Sequence, residues 1–306
     1  MKKFKKIILA LIVVFVVATM ATALTACSHA TVQGQLANIL DQLHNYEVFS
    51  YDVAERDGSG NPINTGTYKV EIEGYDKGST VTLGGGVTLT GTKAGVLVKG
   101  HLEIADVEFN TACYFDLITN STYLAPNSTY RSESKSNKET LKLTGSYSGG
   151  NLSYKLTQNG GAETSGSVSA KAPFYDNNEF HQMLRGATSM SEKFSFSFNV
   201  PVVGKEIAVA QLTAVVTGKE KIKTTFTDTY TKGENAETPF KADGVECYKT
   251  TISRFTEVAG KLQTLYYSTS DIKINGFAVK RPLIKIVEPT KNGNVVYSLK
   301  SISLTK

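Results

Sequence analysis

The residue types that could carry chemistry in this chain are few and scattered. Its four histidines, His29, His44, His101 and His181, fall in no His-x-x-x-His or Cys-His spacing of the kind that ligates zinc. A histidine standing alone is ordinarily structural or exposed. Gly-x-Ser-x-Gly and Walker patterns are absent, which leaves no motif for an activated serine or a phosphate-cradling loop. Glu71, Glu73, Glu103, Asp106 and Glu108 recur at short intervals, which suits a solvated strand face, and no two of them stand out as an acid pair for glycoside hydrolysis. Arg185 can serve an anionic head group or bond the carbonyls at a helix end. On these grounds no catalytic residue, cofactor or metal site is expected.

The three cysteines divide by context. Cys27 follows Leu24-Thr25-Ala26 at the end of an apolar run, Ile7 to Ala23, which is preceded by Lys2, Lys3, Lys5 and Lys6. Charged start, apolar middle, small residues and then cysteine: this order resembles a bacterial lipoprotein signal with its lipobox. The resemblance implies that residues 1–26 are a signal peptide, that the Cys27 sulfur receives a diacylglycerol, and that residues 27–34 tether an extracytoplasmic body to the cell membrane. Two acyl chains make a stable anchor where one is marginal. The other reading of residues 7–24 is an uncleaved membrane-spanning helix. Against it, Thr19, Thr22 and Thr25 weaken the run and no basic cluster follows.

Loss of residues 1–26 takes the formal charge from +5 to +1, so the basic character resides in the leader and no nucleic-acid partner follows from it. Cys113 and Cys247 remain. Outside the cytoplasm such a pair can form a disulfide. It would close a loop of about 134 residues, worth about 4–5 kcal/mol. Equally, each can pack as a small buried hydrophobe.

The elements that must position these groups are mainly strands. Leu36, Ile39, Leu40 and Leu43 fall on one helical face, which predicts an amphipathic helix over 32–46. From Val48 the period changes to two: Tyr68, Val70 and Ile72 alternate with Lys69, Glu71 and Glu73. Arg56 to Pro62, Gly84-Gly85-Gly86, Gly149-Gly150 and Asn159-Gly160-Gly161 read as turns between strands. The period breaks again at Pro173–Arg185, where Asp176 or Asn177 can cap a helix carrying Phe180, Met183 and Leu184 on one face, closed by Gly186. Strands follow, opening with Phe194, Phe196 and Phe198 alternating with serines; residues 231–243 read as a long polar loop. No linker of domain-boundary character appears, so residues 35–306 are expected to form a single β-rich domain.

Three stretches of the second half resemble one family. Phe174-Tyr-Asp-Asn-Asn-Glu-Phe-His-Gln-Met-Leu-Arg185 is similar to its signature helix. Gly218-Lys-Glu-Lys-Ile-Lys223 with Ala242-Asp-Gly-Val-Glu-Cys-Tyr-Lys249, and Leu265-Tyr-Tyr-Ser-Thr-Ser-Asp271 with Leu283-Ile-Lys-Ile286, resemble its later strands. The family is an exported bacterial one of uncharacterised function (domain of unknown function 3108), related by fold to the LolA-like lipoprotein carriers. His181 and Gln182 depart from it, standing where it has apolar helix residues. The resemblance implies a single strongly curved antiparallel sheet, a half barrel, with an N-terminal and a central helix packed on it. In the carrier relatives the concavity holds acyl chains.

Two functions are therefore expected. In one, a membrane-anchored lipoprotein holds a lipid or other amphiphile against a wall of Phe174, Tyr175, Phe180, Met183, Leu184, Arg185, Phe194, Phe196 and Phe198. In the other, those side chains fill a core, and the protein is a structural or interaction module of the cell envelope.

Overall fold

The computed structural model describes residues 39–40, 46–116, 128–136, 139–171, 173–175, 179–187, 190–191, 194–231, 235–254, 261–274 and 276–305. The leader, Cys27 and the tether lie outside them. Strands dominate, as the period-two pattern requires. The first half runs β1 (Tyr46–Asp57), β2 (Pro62–Tyr75), β3 (Thr80–Gly84), β4 (Val87–Thr90), β5 (Gly95–Ile104), β6 (Val107–Asp116), β7 (Ser128–Lys135), β8 (Thr140–Ser148), β9 (Asn151–Gln158) and β10 (Thr164–Ser169). After the short helix α1 (Glu179–Met183) come β11 (Ser195–Val203), β12 (Ile207–Thr231), β13 (Asn235–Arg254), β14 (Lys261–Ser268), β15 (Ile272–Ile274), β16 (Phe277–Val279), β17 (Leu283–Thr290) and β18 (Gly293–Thr305).

Fourteen strands join in one sheet, in the order β10-β9-β8-β7-β6-β5-β2-β1-β18-β17-β14-β13-β12-β11, and these neighbours pair antiparallel. Tight turns make most of the links. At Gly149-Gly150 both residues take positive φ (59° and 81°), the twist that a two-residue hairpin needs. One further pairing breaks the simple order. Beyond the point where β17 leaves β18, residues 227–231 of β12 run parallel to residues 301–305 of β18. The ladder thereby returns onto itself through β12, β13, β14, β17 and β18.

Alternation sorts the side chains. Phe49, Tyr51 and Val53 of β1, Tyr68, Val70 and Ile72 of β2, and Val96, Val98, Leu102 and Ile104 of β5 share one buried core with Phe115, Tyr130, Tyr147, Tyr267, Ile286 and Tyr297. The β3–β4 hairpin covers a patch of the opposite face, where Val81 and Leu83 pack on Leu97, Ala112 and Tyr114.

Several expectations change. The central helix is one short turn, Glu179–Met183, continued by a 3-10 turn over Leu184–Gly186. It is buried on every side: His181, Gln182 and Arg185 are as enclosed as Phe180, Met183 and Leu184. An amphipathic stripe was the wrong template, because polar partners inside the core receive its polar face. The proposed cap residues Asp176 and Asn177 fall outside the described residues. Within the expected 32–46 helix, Ile39 and Leu40 form a bend and are buried, and Tyr46 already opens β1; the rest lies outside the described residues. Within the expected 231–243 loop, Thr231 ends β12 and residues 235–243 belong to β13, with Thr231 paired to Asn235; the rest lies outside the described residues. Cys113 and Cys247 are both buried and are not joined in a disulfide. They sit on β6 and β13, seven strand steps apart in the sheet, and each packs as a hydrophobe.

Candidate functional site

The wall expected around the central helix is assembled as the sequence implies, and its members touch. Pro173-Phe174-Tyr175 runs beside β11, with the Tyr175 N–H donating to the Asn199 carbonyl (2.9 Å) and the Asn199 N–H to the Pro173 carbonyl (2.8 Å). This brings Phe174 onto Tyr147 as a stacked pair, 4.7 Å between centroids. Phe180 lies 5.0 Å from Phe198, Tyr175 6.0 Å from Phe198, and Phe194, Phe196 and Phe198 follow one another down β11. All eight apolar members, Met183 and Leu184 included, are 7% exposed or less. Their geometry is that of a packed core.

Arg185 serves neither a head group nor a helix end. Its Nη2 donates to Glu47 Oε2 (2.8 Å), its Nε to the Lys280 carbonyl (2.8 Å) and its Nη1 to Gln182 Oε1 (3.1 Å); the guanidinium lies 4.6 Å over the Phe49 ring. Both members of the Arg185–Glu47 pair have fully buried side chains. An adjoining polar chain crosses the core. His181 Nε2 donates to Gln263 Oε1 (2.7 Å), Gln263 Nε2 donates to Glu288 Oε1, and the Tyr297 hydroxyl donates to Glu288 Oε2 (3.1 Å). Burial lowers the His181 pKa to about 4, against the Gln263 bond. Burial raises the Glu288 carboxyl to about 7, against the bonds from Tyr297 and Gln263. At neutral pH the imidazole is neutral and the Glu288 carboxyl is about half protonated, far more than a free glutamate would be. Glu47 and Glu288 escaped the sequence reading, yet a signal exists: Glu47 is in phase with Phe49, and Glu288 with Ile284 and Ile286.

The opposite face carries the second candidate, and it was not anticipated as a site. The β2-β5-β6-β7 register places Glu71, Lys99, Ala112 and Arg131 in one cross-strand row. Lys69, His101, Asn110 and Glu133 form the next row, and Glu103 with Glu108 a third. The β3–β4 hairpin roofs one end. Its turn, Gly84-Gly85-Gly86, has positive φ throughout, and a Cβ on Gly85 would fall 2.3 Å from Arg131 Nε. The glycines therefore let the turn lie against the guanidinium. Lys99 and Arg131 border a groove of about 370 Å³, lined also by Thr82, Leu83, Lys69, Glu71, His101 and Asn110.

Ion pairs order these charges. Lys69 pairs with Glu71, and Arg131 and Lys142 share Glu133. Partial burial opposes the charged form of Glu71, but Lys69, Tyr46 and Lys99 hold its pKa below the usual range. His101 Nδ1 faces Asn110 Oδ1 (2.7 Å) and its Nε2 faces Glu103 Oε1 (3.1 Å). Partial burial works against its charge, but those bonds and the Glu103 and Glu108 carboxylates raise its pKa. Oxygen acceptors on both ring nitrogens suit the imidazolium, which donates from both. Among the described residues no group of three or more His, Cys, Asp or Glu is placed to hold a metal ion. The chain matches no protein-family model, no curated protein and no solved structure in the comparisons made.

Proposed function

We propose that this chain is an extracytoplasmic lipoprotein, anchored in the membrane of a bacterial envelope by a diacylglycerol on Cys27, whose β body is an interaction module. The address rests on the Lys2–Lys6 start, the apolar run and Leu24-Thr25-Ala26-Cys27. The likeness of Phe174–Ile286 to an exported family points the same way. Among the described residues no helix is long and apolar enough to cross a membrane. Ile39 and Leu40, twelve and thirteen residues after Cys27, are buried in the core, so the tether enters the body close to the anchor.

The observation that carries the module reading is the filled wall. Phe174, Tyr175, Phe180, Met183, Leu184, Phe194, Phe196 and Phe198 spend their apolar surface on one another, which favours binding on the outer face. The second reading, an amphiphile held in the concavity of a LolA-like half barrel, draws support from the return of β12 onto β18, which brings one end of the ladder back to its middle.

Expression of the full chain and of Cys27→Ala in a bacterial host with an alkyne-tagged palmitate tests the anchor. The wild type takes label and sediments with membranes, whereas Cys27→Ala does neither. Equal membrane recovery of the two refutes the anchor. Solvent extraction and mass spectrometry of the purified protein then decide between the readings. A stoichiometric lipid beyond the anchor itself moves the site to the wall around α1.

A further inference from the structure

We infer that the groove under the β3–β4 hairpin is a binding site for an anionic saccharide, whose phosphate or carboxylate is held between Lys99 and Arg131. The inference rests on the reading of the body as an interaction module but not on the anchor at Cys27.

Three features separate this groove from an ordinary solvated strand face. First, it is concave: Thr82, Leu83 and Gly84 of the hairpin stand on one side of it, and its lining holds two cations whose strands lie two steps apart, about 10 Å. Second, one cation is held in place before any ligand arrives. The Arg131 side chain is only 16% exposed, fixed by Glu133 on one side and by the Gly84-Gly85 turn on the other. Holding a guanidinium in one orientation lowers the ordering cost of binding a planar or tetrahedral anion. Third, the lining is net cationic yet mixed. Lys69, Lys99 and Arg131 outnumber Glu71, and Glu71 is already engaged by Lys69.

The mixture decides the ligand class. A bare anion can accept from the Asn110 amide and the Thr82 hydroxyl, but it is repelled by the Glu71 carboxylate. A saccharide uses all of them, offering hydroxyl donors to Glu71 and hydroxyl acceptors to Asn110 and Thr82, with its charged group at the basic end. No Phe, Tyr or Trp lines the groove, so it lacks the broad stacking platform on which single-stranded nucleic acid rests. The volume falls in the range of small-ligand sites.

The test is calorimetric titration of the full chain, purified in detergent, with glucose 6-phosphate, glucuronate, glucose and inorganic phosphate at low ionic strength. At least one of the two anionic sugars should bind ten-fold or more tighter than glucose and tighter than inorganic phosphate. Which of the two does so identifies the group held. Lys99 is half-buried and, among the described residues, forms no ion pair within 4 Å, so Lys99→Gln should keep its unfolding midpoint and lose ten-fold or more in affinity. Gly85→Ala, which pushes the turn against Arg131, should weaken binding as well. Glucose binding within ten-fold of the tighter anionic sugar, inorganic phosphate binding as tight as that sugar, or unchanged affinity in a folded Lys99→Gln variant overturns the inference. None of these outcomes depends on whether Cys27 carries a lipid.

Discussion

Replacing Glu288 by Gln should make the protein more stable at pH 8 and leave it almost unchanged at pH 4.5. In the folded chain the Glu288 carboxyl accepts hydrogen bonds from Gln263 and Tyr297, and burial raises its pKa from 4.5 to about 7. The folded state thus holds the proton more tightly than the unfolded chain does. The favourable contribution of that proton is full below about pH 4.5 and is lost as pH rises through about 7. At roughly 1.4 kcal/mol per unit, and with a discount for a half-buried residue, the loss is about 2–3 kcal/mol. His181 works in the opposite sense. Its pKa falls from 6.5 to about 4, so its contribution is present above 6.5 and is lost as pH falls through 4. In the wild type the two slopes oppose one another between about pH 4.5 and 6.5, and these groups together give little net change there. A glutamine keeps the shape, accepts from Gln263 and can donate to the Tyr297 oxygen, but it does not titrate. In Glu288→Gln the His181 slope therefore stands alone, and stability climbs by about 3 kcal/mol from pH 4 to 6.5. The chain has no Trp, so urea unfolding followed by tyrosine fluorescence and circular dichroism at half-unit steps from pH 4 to 8 is the suitable assay. All other titrating groups are common to both proteins and cancel in the difference. A variant-minus-wild-type difference that stays constant across this range, or that favours the wild type more at pH 8 than at pH 4.5, refutes the reasoning.

Removing the cation from the buried Arg185–Glu47 pair should be costly: Arg185→Met leaves a carboxylate enclosed beside Phe49, for an expected loss of about 3–5 kcal/mol in urea unfolding. The double variant Glu47→Leu with Arg185→Met should recover most of that loss, and a single-variant cost below about 1 kcal/mol would remove the pair from the account. Gly145 lies under the Tyr130 ring, where a Cβ would fall 2.3 Å from its carbons. Gly145→Ala should therefore cost about 1–3 kcal/mol through overpacking, whereas Gly161→Ala, whose nearest neighbour is the Gln158 carbonyl at 3.1 Å, should cost less in the same thermal melts.

The strands were legible because their faces differ. Alternation of Tyr68, Val70 and Ile72 with Lys69, Glu71 and Glu73 announces a half-buried strand, and the glycine pairs announce the hairpins between strands. The members of the aromatic wall were also legible, since Phe194, Phe196 and Phe198 share one phase and Phe180 and Leu184 one helical turn. Whether such a wall faces a ligand or another wall depends on packing between segments far apart in sequence, such as Tyr147 on Phe174, and local pattern carries no information on that. The core carboxylates were hidden for a related reason. Glu47 and Glu288 stand in apolar phase, but their partners Arg185 and Gln263 come from other elements. The groove needed register: Lys99 and Arg131 are thirty-two residues apart in sequence and become neighbours across Ala112 only when β5, β6 and β7 align. Ile39 and Leu40 form a buried bend where the apolar stripe predicts helix, because such a stripe serves a buried bend as well as it serves a helix.

The place of β1 in the sheet has a consequence for how the protein is made. Its two neighbours are β2, which emerges at once, and β18, the last described strand, whose residues lie some 250 positions later. Until β18 arrives, β1 offers a twelve-residue edge with free backbone donors and acceptors and with Phe49, Tyr51 and Val53 uncovered. A chain threaded across a membrane from its leading end would spend its whole passage in this state. Assembly of the middle of the sheet must then wait for the trailing segment, and that delay is a reason for such a protein to meet a holdase before it meets any ligand.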